Sequence, residues 1–164
     1  MKSKSITLLI FSFLLIGTMA VMLNVFLVQA HDDFRKSVKV GDEGIAEETV
    51  TVRGLSLSPT QSQEYEISMS CAASGSYDIA LDYEETQDGG LKHHVIVSVY
   101  TGGERIYNGL LLDLLDNDTV VEFVGYLDDE PLIIKVIYEM PYYIGNEAQG
   151  TFADFDVHIN VKKS

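Results

Sequence analysis

The chain has 164 residues, with 11 basic and 25 acidic side chains and a formal net charge of −14. This charge argues against nucleic acid and anionic lipid as partners, because both would be repelled, and it favours solubility, cationic surfaces or divalent ions. Cys71 is the one cysteine, which excludes an intrachain disulfide, and its shared parity with Tyr65, Ile67 and Met69 predicts a buried structural thiol.

The first 30 residues predict an N-terminal apolar export helix. Two lysines precede a stretch, residues 5–30, that has no charged side chain, which is the pattern of a signal peptide. Val28 and Ala30 are small residues of the kind that a signal peptidase reads, so we expect cleavage between Ala30 and His31, with a second candidate at 18–20. The stretch also exceeds the ~20 residues that span a bilayer, so a retained signal anchor is the alternative. In both cases we expect an extracellular or cell-surface protein that meets the membrane only through this segment.

Residues 31–48 predict a flexible N-terminal arm. They are rich in charged side chains and hold only isolated apolar residues. Within the arm, Ser37, Val38, Lys39 and Val40 have the composition to add to an open sheet edge as an exchanged strand. A disordered spacer is the alternative for the whole arm.

Residues 49–164 predict a single β-sandwich domain. All 25 acidic residues but only nine of the 11 basic ones lie beyond residue 30, so the exported part carries a net charge of −16. Apolar and polar residues alternate over short runs that are separated by turn residues, which is the pattern of antiparallel strands. The predicted strands cover residues 49–57, 64–71, 76–84, 91–101, 104–107, 120–127, 132–140 and 153–161. With a short helical lid over 108–115, the pattern predicts an all-β antiparallel sandwich of jelly-roll type with about eight strands.

The last quarter of the chain carries a family resemblance. Met140-Pro141, the run Gly-Asn-Glu-Ala-Gln-Gly from Gly145 to Gly150, and the alternating strand that ends the chain resemble the C-terminal signature of the TasA and camelysin family of exported bacterial surface and biofilm-matrix proteins. In that family these residues shape a fold and carry no chemistry. The resemblance implies a matrix structural protein that associates with itself or with related subunits, by strand exchange through the N-terminal arm.

Two alternative functions stand beside this one. The first is a membrane-anchored surface module that binds a ligand or a divalent ion. The second is an envelope metalloprotease of the camelysin kind, but the sequence has no His-Glu-x-x-His motif, so we expect no enzymatic activity and no cofactor. His93 and His94 are adjacent on a predicted strand and cannot readily share a metal, and His93 is expected to point inward as a core histidine.

Three groups of polar residues are the remaining metal-site candidates. The first lies on the wet face of the last strand, and the other two lie in acidic turns, whose clustered oxygens suit calcium. The members are Asp154, Asp156 and His158 for the strand, Asp113, Asp116 and Asp118 for the first turn, and Asp128, Asp129 and Glu130 for the second. In the strand, Cβ atoms two residues apart stand ~7 Å from each other, so a neighbouring strand would have to complete the site. A solvated acidic face is the alternative for each group.

Overall fold

The structure, a computed structural model, describes residues 35–116 and 119–164. The predicted export helix, its cleavage site, residues 31–34 of the predicted arm, and Asp118 lie outside the described residues. Residues Lys36–Ser164 form one compact unit. None of the helices in the described ranges has the length and hydrophobicity that a membrane span requires.

The described part of the chain forms nine β-strands, one short α-helix and two 3₁₀ turns. The strands are β1 (Arg35–Val40), β2 (Ile45–Leu55), β3 (Ser62–Cys71), β4 (Gly75–Gly89), β5 (Ile96–Thr101), β6 (Glu104–Leu110), β7 (Val121–Leu127), β8 (Leu132–Glu139) and β9 (Phe152–Lys163). The helix α1 is Leu111–Asp116, and the 3₁₀ turns are Leu91–His93 and Asn146–Ala148. Each of the eight predicted strands overlaps one of β2 to β9, because alternation of apolar and polar residues marks a half-buried strand.

The strands form two sheets that pack face to face. Sheet A has the order β1-β3-β8-β5-β6, and sheet B has the order β2-β9-β4-β7. The neighbours from β3 to β6 in sheet A and all neighbours in sheet B pair antiparallel. Side chains from both sheets meet in one hydrophobic core. The predicted all-β sandwich is therefore confirmed.

The core takes one parity of residues from each strand, as the two-residue period of a strand requires. The buried residues of β9 are Ala153, Phe155, Val157, Ile159 and Val161, which is the set that the sequence alternation predicts. The rings of Tyr138 in sheet A and Phe155 in sheet B lie 5.5 Å apart. Burial raises the pKa of the Tyr138 phenol well above its usual value, so this ring stays neutral. Burying a large apolar side chain contributes about 1.5–3 kcal/mol.

The prediction of a flexible arm is wrong for residues 35–48. Arg35–Val40 form β1 at the edge of sheet A, and residues 45–48 begin β2 in sheet B. Val38 and Val40 are 0% and 2% exposed. These two valines share one parity, so the isolated apolar residues form the inward face of a strand whose other face is polar and charged. Residues 35–40 and 45–48 therefore belong to the sandwich, although the sequence predicts a sandwich that begins at residue 49.

The predicted strand over 91–101 is wrong in its first five residues. Leu91–His93 form a 3₁₀ turn, and β5 begins only at Ile96. His93 is exposed and is not the core histidine that the sequence predicts. A 3₁₀ turn has three residues per turn, so the inward and outward alternation of a strand does not hold there.

The helical lid lies at the predicted place but is shorter. Residues 108–110 belong to β6, and α1 begins at Leu111. Leu111 and Leu114 are buried and belong to the common core. The helix therefore covers part of the core with two leucines, three residues apart on one helical face.

Candidate functional site

β1 is an edge strand of sheet A and the first strand in the part of the chain that the structure describes. It lies beside β3, and the backbone N–H of Ala72 donates to the carbonyl oxygen of Val40 at 3.1 Å. Val38 and Val40 point into the core, whereas Ser37 and Lys39 are exposed. The predicted exchange residues 37–40 are thus brought together in one strand at the end of a sheet.

A short turn joins β1 to β2 and carries the chain from sheet A to sheet B. Gly44 donates its backbone N–H to the carbonyl oxygen of Gly41 at 3.0 Å, and its φ of 71° lies in the left-handed region that favours glycine. An ion pair also joins the two strands: Lys36 Nζ of β1 lies 2.9 Å from Glu48 Oε2 of β2. Both side chains are more than one third exposed, so this ion pair stabilises β1 by no more than about 1 kcal/mol.

β7 is an edge strand of sheet B, and its outward face is more apolar than that of β1. Its seven residues pair with β4 without a register shift. On the outward face, Val124 is 67% exposed and Tyr126 is 63% exposed, and Glu122 is the one charged residue of the strand. On the inward face, Gly125 makes room for Leu132 of sheet A, because an added Cβ would lie 2.7 Å from the Leu132 Cδ2 atom.

The other edge strands carry features that protect β-edges from pairing with other chains. β1 has three cationic side chains among its six residues. β2 has two glutamates and an arginine, and its register shifts between Val52 and Leu55. β6 begins with Glu104 and Arg105, and its pairing with β5 is also irregular. Charges and bulges discourage edge-to-edge pairing, so β7 is the least protected of the described edges.

The outward face of β9 does not bring its predicted metal ligands together. Asp154 Oδ1 accepts a hydrogen bond from the backbone N–H of Gly54 at 2.6 Å. Asp156 Oδ1 lies 3.5 Å from Arg53 Nη2. In the described ranges, no group of three or more His, Cys, Asp or Glu side chains is placed to hold a metal ion. Each of these two carboxylates instead contacts β2.

His158, the third member of that group, bridges two neighbouring strands. Its Nδ1 atom lies 3.1 Å from Thr49 Oγ1 on β2, and its Nε2 atom lies 3.0 Å from Glu84 Oε2 on β4. Glu84 is 69% exposed, so solvent weakens its contact with His158 to about 1 kcal/mol or less. The sequence does not signal this contact, since it depends on the register of three strands that are distant in the chain.

The first acidic turn meets a lysine that sequence reasoning missed. Lys92 Nζ donates to Asp116 Oδ1 at 2.9 Å and to Glu85 Oε2 at 2.8 Å, and it lies 3.3 Å from Asp88 Oδ2. Lys92 is 6% exposed, and its hydrogen bond to Glu85 raises the pKa of its ammonium group. The ammonium group of Lys92 lies between the three carboxylates. Its contacts therefore link the first 3₁₀ turn to β4 and to α1.

The second acidic turn has a local structural role. Asp128 Oδ1 accepts a hydrogen bond from the backbone N–H of Glu130 at 2.9 Å, a contact that short acidic side chains make in turns. Asp129 is exposed beside it. In the described ranges the predicted calcium site is therefore not assembled.

A groove of about 710 Å³ runs over the outer face of sheet B. Its volume lies within the ~300–1,000 Å³ that is common for small-ligand sites. The strand register places small and polar residues side by side across its floor. The outward residues that line it are Ile45, Glu47, Asp78, Ala80, Glu122, Val124, Asn160 and Lys162.

Cys71 is half-buried and not fully buried as predicted. It is the last residue of β3, where the strand leaves the core, and its Sγ atom lies 3.8 Å from the carbonyl oxygen of Asp128. Ile67 and Met69, which share its parity, are buried. The parity prediction therefore holds along β3 and weakens at the end of the strand.

Comparisons with known proteins show no family for this chain. No protein-family model matches the sequence, and no curated protein matches it. Among solved structures, the CUB1-EGF-CUB2 fragment of human MASP-1/3 is 15% identical with a TM-score of 0.43, and the match covers 72% of this chain but only 42% of that one. The C-terminal domain of EclA, a sugar-binding protein, is 13% identical with a TM-score of 0.39, over 66% of this chain and 81% of that one. The C-terminal CBM6 domain of LamC from Zobellia galactanivorans is 12% identical with a TM-score of 0.31, over 77% of this chain and 86% of that one. At these values the likenesses carry no argument about function.

Proposed function

We propose that this chain is an exported cell-surface or extracellular-matrix protein that acts by associating with copies of itself or with related subunits. The strand that exchanges is β1, with Ser37, Val38, Lys39 and Val40 as the exchanged residues. The resemblance of the last quarter of the chain to the TasA and camelysin family supports this proposal. The proposed role of the chain is structural and not catalytic.

The observation that carries the proposal is the place of β1 in the sandwich. β1 is an edge strand, fills the core with Val38 and Val40, and is joined to the rest of the domain by a short turn between Gly41 and Gly44. An identical strand from a second copy can make the same contacts with β3 and the core, which is the low-cost route of domain swapping. A copy that donates β1 leaves its own edge ready for the next donor, so the exchange can continue from copy to copy.

We also propose that the sandwich is a jelly roll. The strands from β2 to β9 divide into the groups β2-β9-β4-β7 and β3-β8-β5-β6, and each group mixes strands from both halves of the chain. Eight strands in two sheets is the number of a jelly roll. In this proposal β1 is an addition beside β3, so the eight-stranded framework stays complete when β1 leaves.

The groove on sheet B favours a second candidate, a surface module that binds a ligand. Glu47, Asp78 and Glu122 line the groove with one cation, Lys162, so a small polar cation is the ligand class that its charge favours. Ala80 lies on the groove floor, and the substitution Ala80→Leu would fill it. Calorimetric titration with calcium chloride and with lysine, using the parent and Ala80→Leu, tests this candidate: heat that the substitution removes would support it.

The main proposal is tested with one inward and one outward substitution on β1. Val38→Asn buries an amide where the core has no partner for it, whereas Ser37→Asn changes an exposed neighbour, and neither alters the net charge. We expect assembly, measured by sedimentation velocity, to be lost with Val38→Asn and kept with Ser37→Asn.

Mixing experiments separate strand exchange from a simple loss of stability. Copies with Val38→Asn still offer an acceptor edge but donate poorly, so a small fraction of them should stop the growth of parent assemblies. Circular dichroism checks that both variants are folded. If the folded Val38→Asn variant assembles as the parent does, strand exchange through β1 is wrong.

A further inference from the structure

β7 combines an open edge with an apolar outward face. It is the last strand of sheet B, and within the described ranges no strand pairs with its outer side. Its outward residues are Glu122, Val124 and Tyr126, of which the last two are about two thirds exposed. Its pairing with β4 has no register shift, so the edge is regular over all seven residues. It has neither a lysine nor a proline to block a partner strand.

We propose that β7 pairs antiparallel with β7 of a second copy, about a two-fold axis at Val124, so that two sheets B join into one eight-stranded sheet. This contact joins the open edges of two β7 strands in sheet B, whereas the exchange of β1 replaces a strand of sheet A together with its buried valines. It therefore goes beyond the proposed function and does not depend on it.

The sequence of β7 is complementary to itself in this register. With the axis at Val124, all seven residues of each strand overlap, and Val124 faces the same residue of the second copy. Glu122 then faces Tyr126 of the second copy, so the two carboxylates are not opposite each other. A cross-strand pair of like charges would be destabilising, whereas aromatic and β-branched pairs are favourable.

The inward residues also fit this register. Val121 faces Leu127 of the second copy, and Phe123 faces Gly125 of the second copy. No inward pair contains a polar side chain, and the large Phe123 ring lies opposite a glycine, which has no side chain. Moving the axis by one residue, to Phe123 or Gly125, shortens the overlap to five residues. A slip that paired inward with outward residues would break the alternation of the joined sheet.

Charge sets the strength of this association and its salt dependence. Each copy has a net charge of −14, so two copies repel each other at low ionic strength. The contact of one strand with another is also smaller than a standard interface of about 1,600 Å². We therefore expect a weak dimer whose population rises with added salt, because salt screens the repulsion between copies.

Disulfide trapping in the full chain tests the register directly. In a Cys71→Ser background, the substitution Val124→Cys places two thiols opposite each other, at a Cα separation of about 4.5–5.5 Å that a disulfide can bridge. The matched control is Glu122→Cys, on the same strand and the same face, whose symmetry-related thiol lies about 13 Å away along the strand. On a non-reducing gel after mild oxidation, we expect several-fold more dimer with Val124→Cys than with Glu122→Cys.

A mixed pair gives a second, independent readout. Copies with Glu122→Cys and copies with Tyr126→Cys should form a disulfide with each other several-fold more than either does alone. All of these cross-links should persist when Val38→Asn is added, because β1 does not take part. Equal cross-linking of Val124→Cys and Glu122→Cys, or cross-linking of Val124→Cys to a different protein, would overturn the proposal. Loss of the cross-links only with Val38→Asn would assign the contact to β1 exchange instead.

Discussion

β1 and β7 are both edge strands with buried apolar residues on the inward face, but their outward faces differ. β1 buries Val38 and Val40 and carries cations outside, whereas β7 buries Val121 and Leu127 and exposes Val124 and Tyr126. β1 is therefore a part of the core that lies at the edge of a sheet. β7 leaves apolar surface on the outside for another chain to cover. An edge strand with a charged outward face can be exchanged through its buried residues, whereas one with an apolar outward face can also be extended by another chain.

The largest expected effect comes from the same substitution on the inward face of β1 and the outward face of β7. Val38→Asp places a charge in a fully buried position and should lower the free energy of unfolding by more than about 3 kcal/mol. Val124→Asp changes an exposed position and should alter it by no more than about 0.5 kcal/mol. Urea unfolding followed by circular dichroism measures both, and equal losses would remove the distinction between the strands.

A smaller effect is expected when the inward face of β7 is filled. Gly125→Ala adds a Cβ that would lie 2.7 Å from Leu132 Cδ2 and 2.8 Å from Ile79 Cδ1, and such overpacking costs about 1–3 kcal/mol. Gly41→Ala is the control, because nothing lies within 4 Å of its added Cβ. Thermal unfolding should show a lower midpoint for Gly125→Ala alone. An unchanged midpoint would mean that the sandwich adjusts at β7.

The ion pair between Lys36 of β1 and Glu48 of β2 should have a smaller effect on the free energy of unfolding. A double-mutant cycle with Lys36→Met and Glu48→Gln should give a coupling free energy of no more than about 1 kcal/mol, because both side chains are partly solvated. The coupling should shrink as salt is added. A coupling that salt leaves unchanged would indicate that the pair is shielded from solvent and binds β1 more firmly than we infer.

The smallest effect on stability is expected from making β7 resemble β1 on its outer face. Val124→Lys adds a cation of the kind that protects β1, and it should change the free energy of unfolding by no more than about 0.5 kcal/mol. Association between copies through β7 should nevertheless be lost, as measured by sedimentation at high salt. Val120→Lys is a matched control outside β7, since Val120 is also exposed. Undiminished association of Val124→Lys would place the contact elsewhere.

The sequence predicts the strands well where alternation is long, and less well where it is short. β9 alternates without a break from Ala153 to Val161, so its buried residues could be read directly from the sequence. β1 offers only two apolar residues on one parity between charged neighbours, which looks like a flexible arm until β3 and the core are known. Leu91–His93 broke the expected alternation because a 3₁₀ turn replaces the start of the strand.

The candidate sites depend on contacts that a sequence does not contain. β7 is an edge because, within the described ranges, it pairs with β4 on one side and with no strand on the other, and this strand order follows from pairing between distant parts of the chain. The three carboxylates around Lys92 come from β4 and α1, and the lysine comes from the 3₁₀ turn between them. The sequence could supply the residue types, but the fold decides which of them meet.

Native-state hydrogen exchange of the full chain tests whether β1 opens independently of the other strands, because strand exchange requires β1 to open while the sandwich stays folded. The amides of β1 and β9 should be compared in the parent and in Gly125→Ala. We predict that Gly125→Ala speeds the exchange of β9 amides, which need global unfolding, and leaves β1 amides unchanged, because these exchange by local opening. If β1 and β9 amides accelerate together, β1 opens only when the whole domain unfolds, and β1 is not an exchangeable strand.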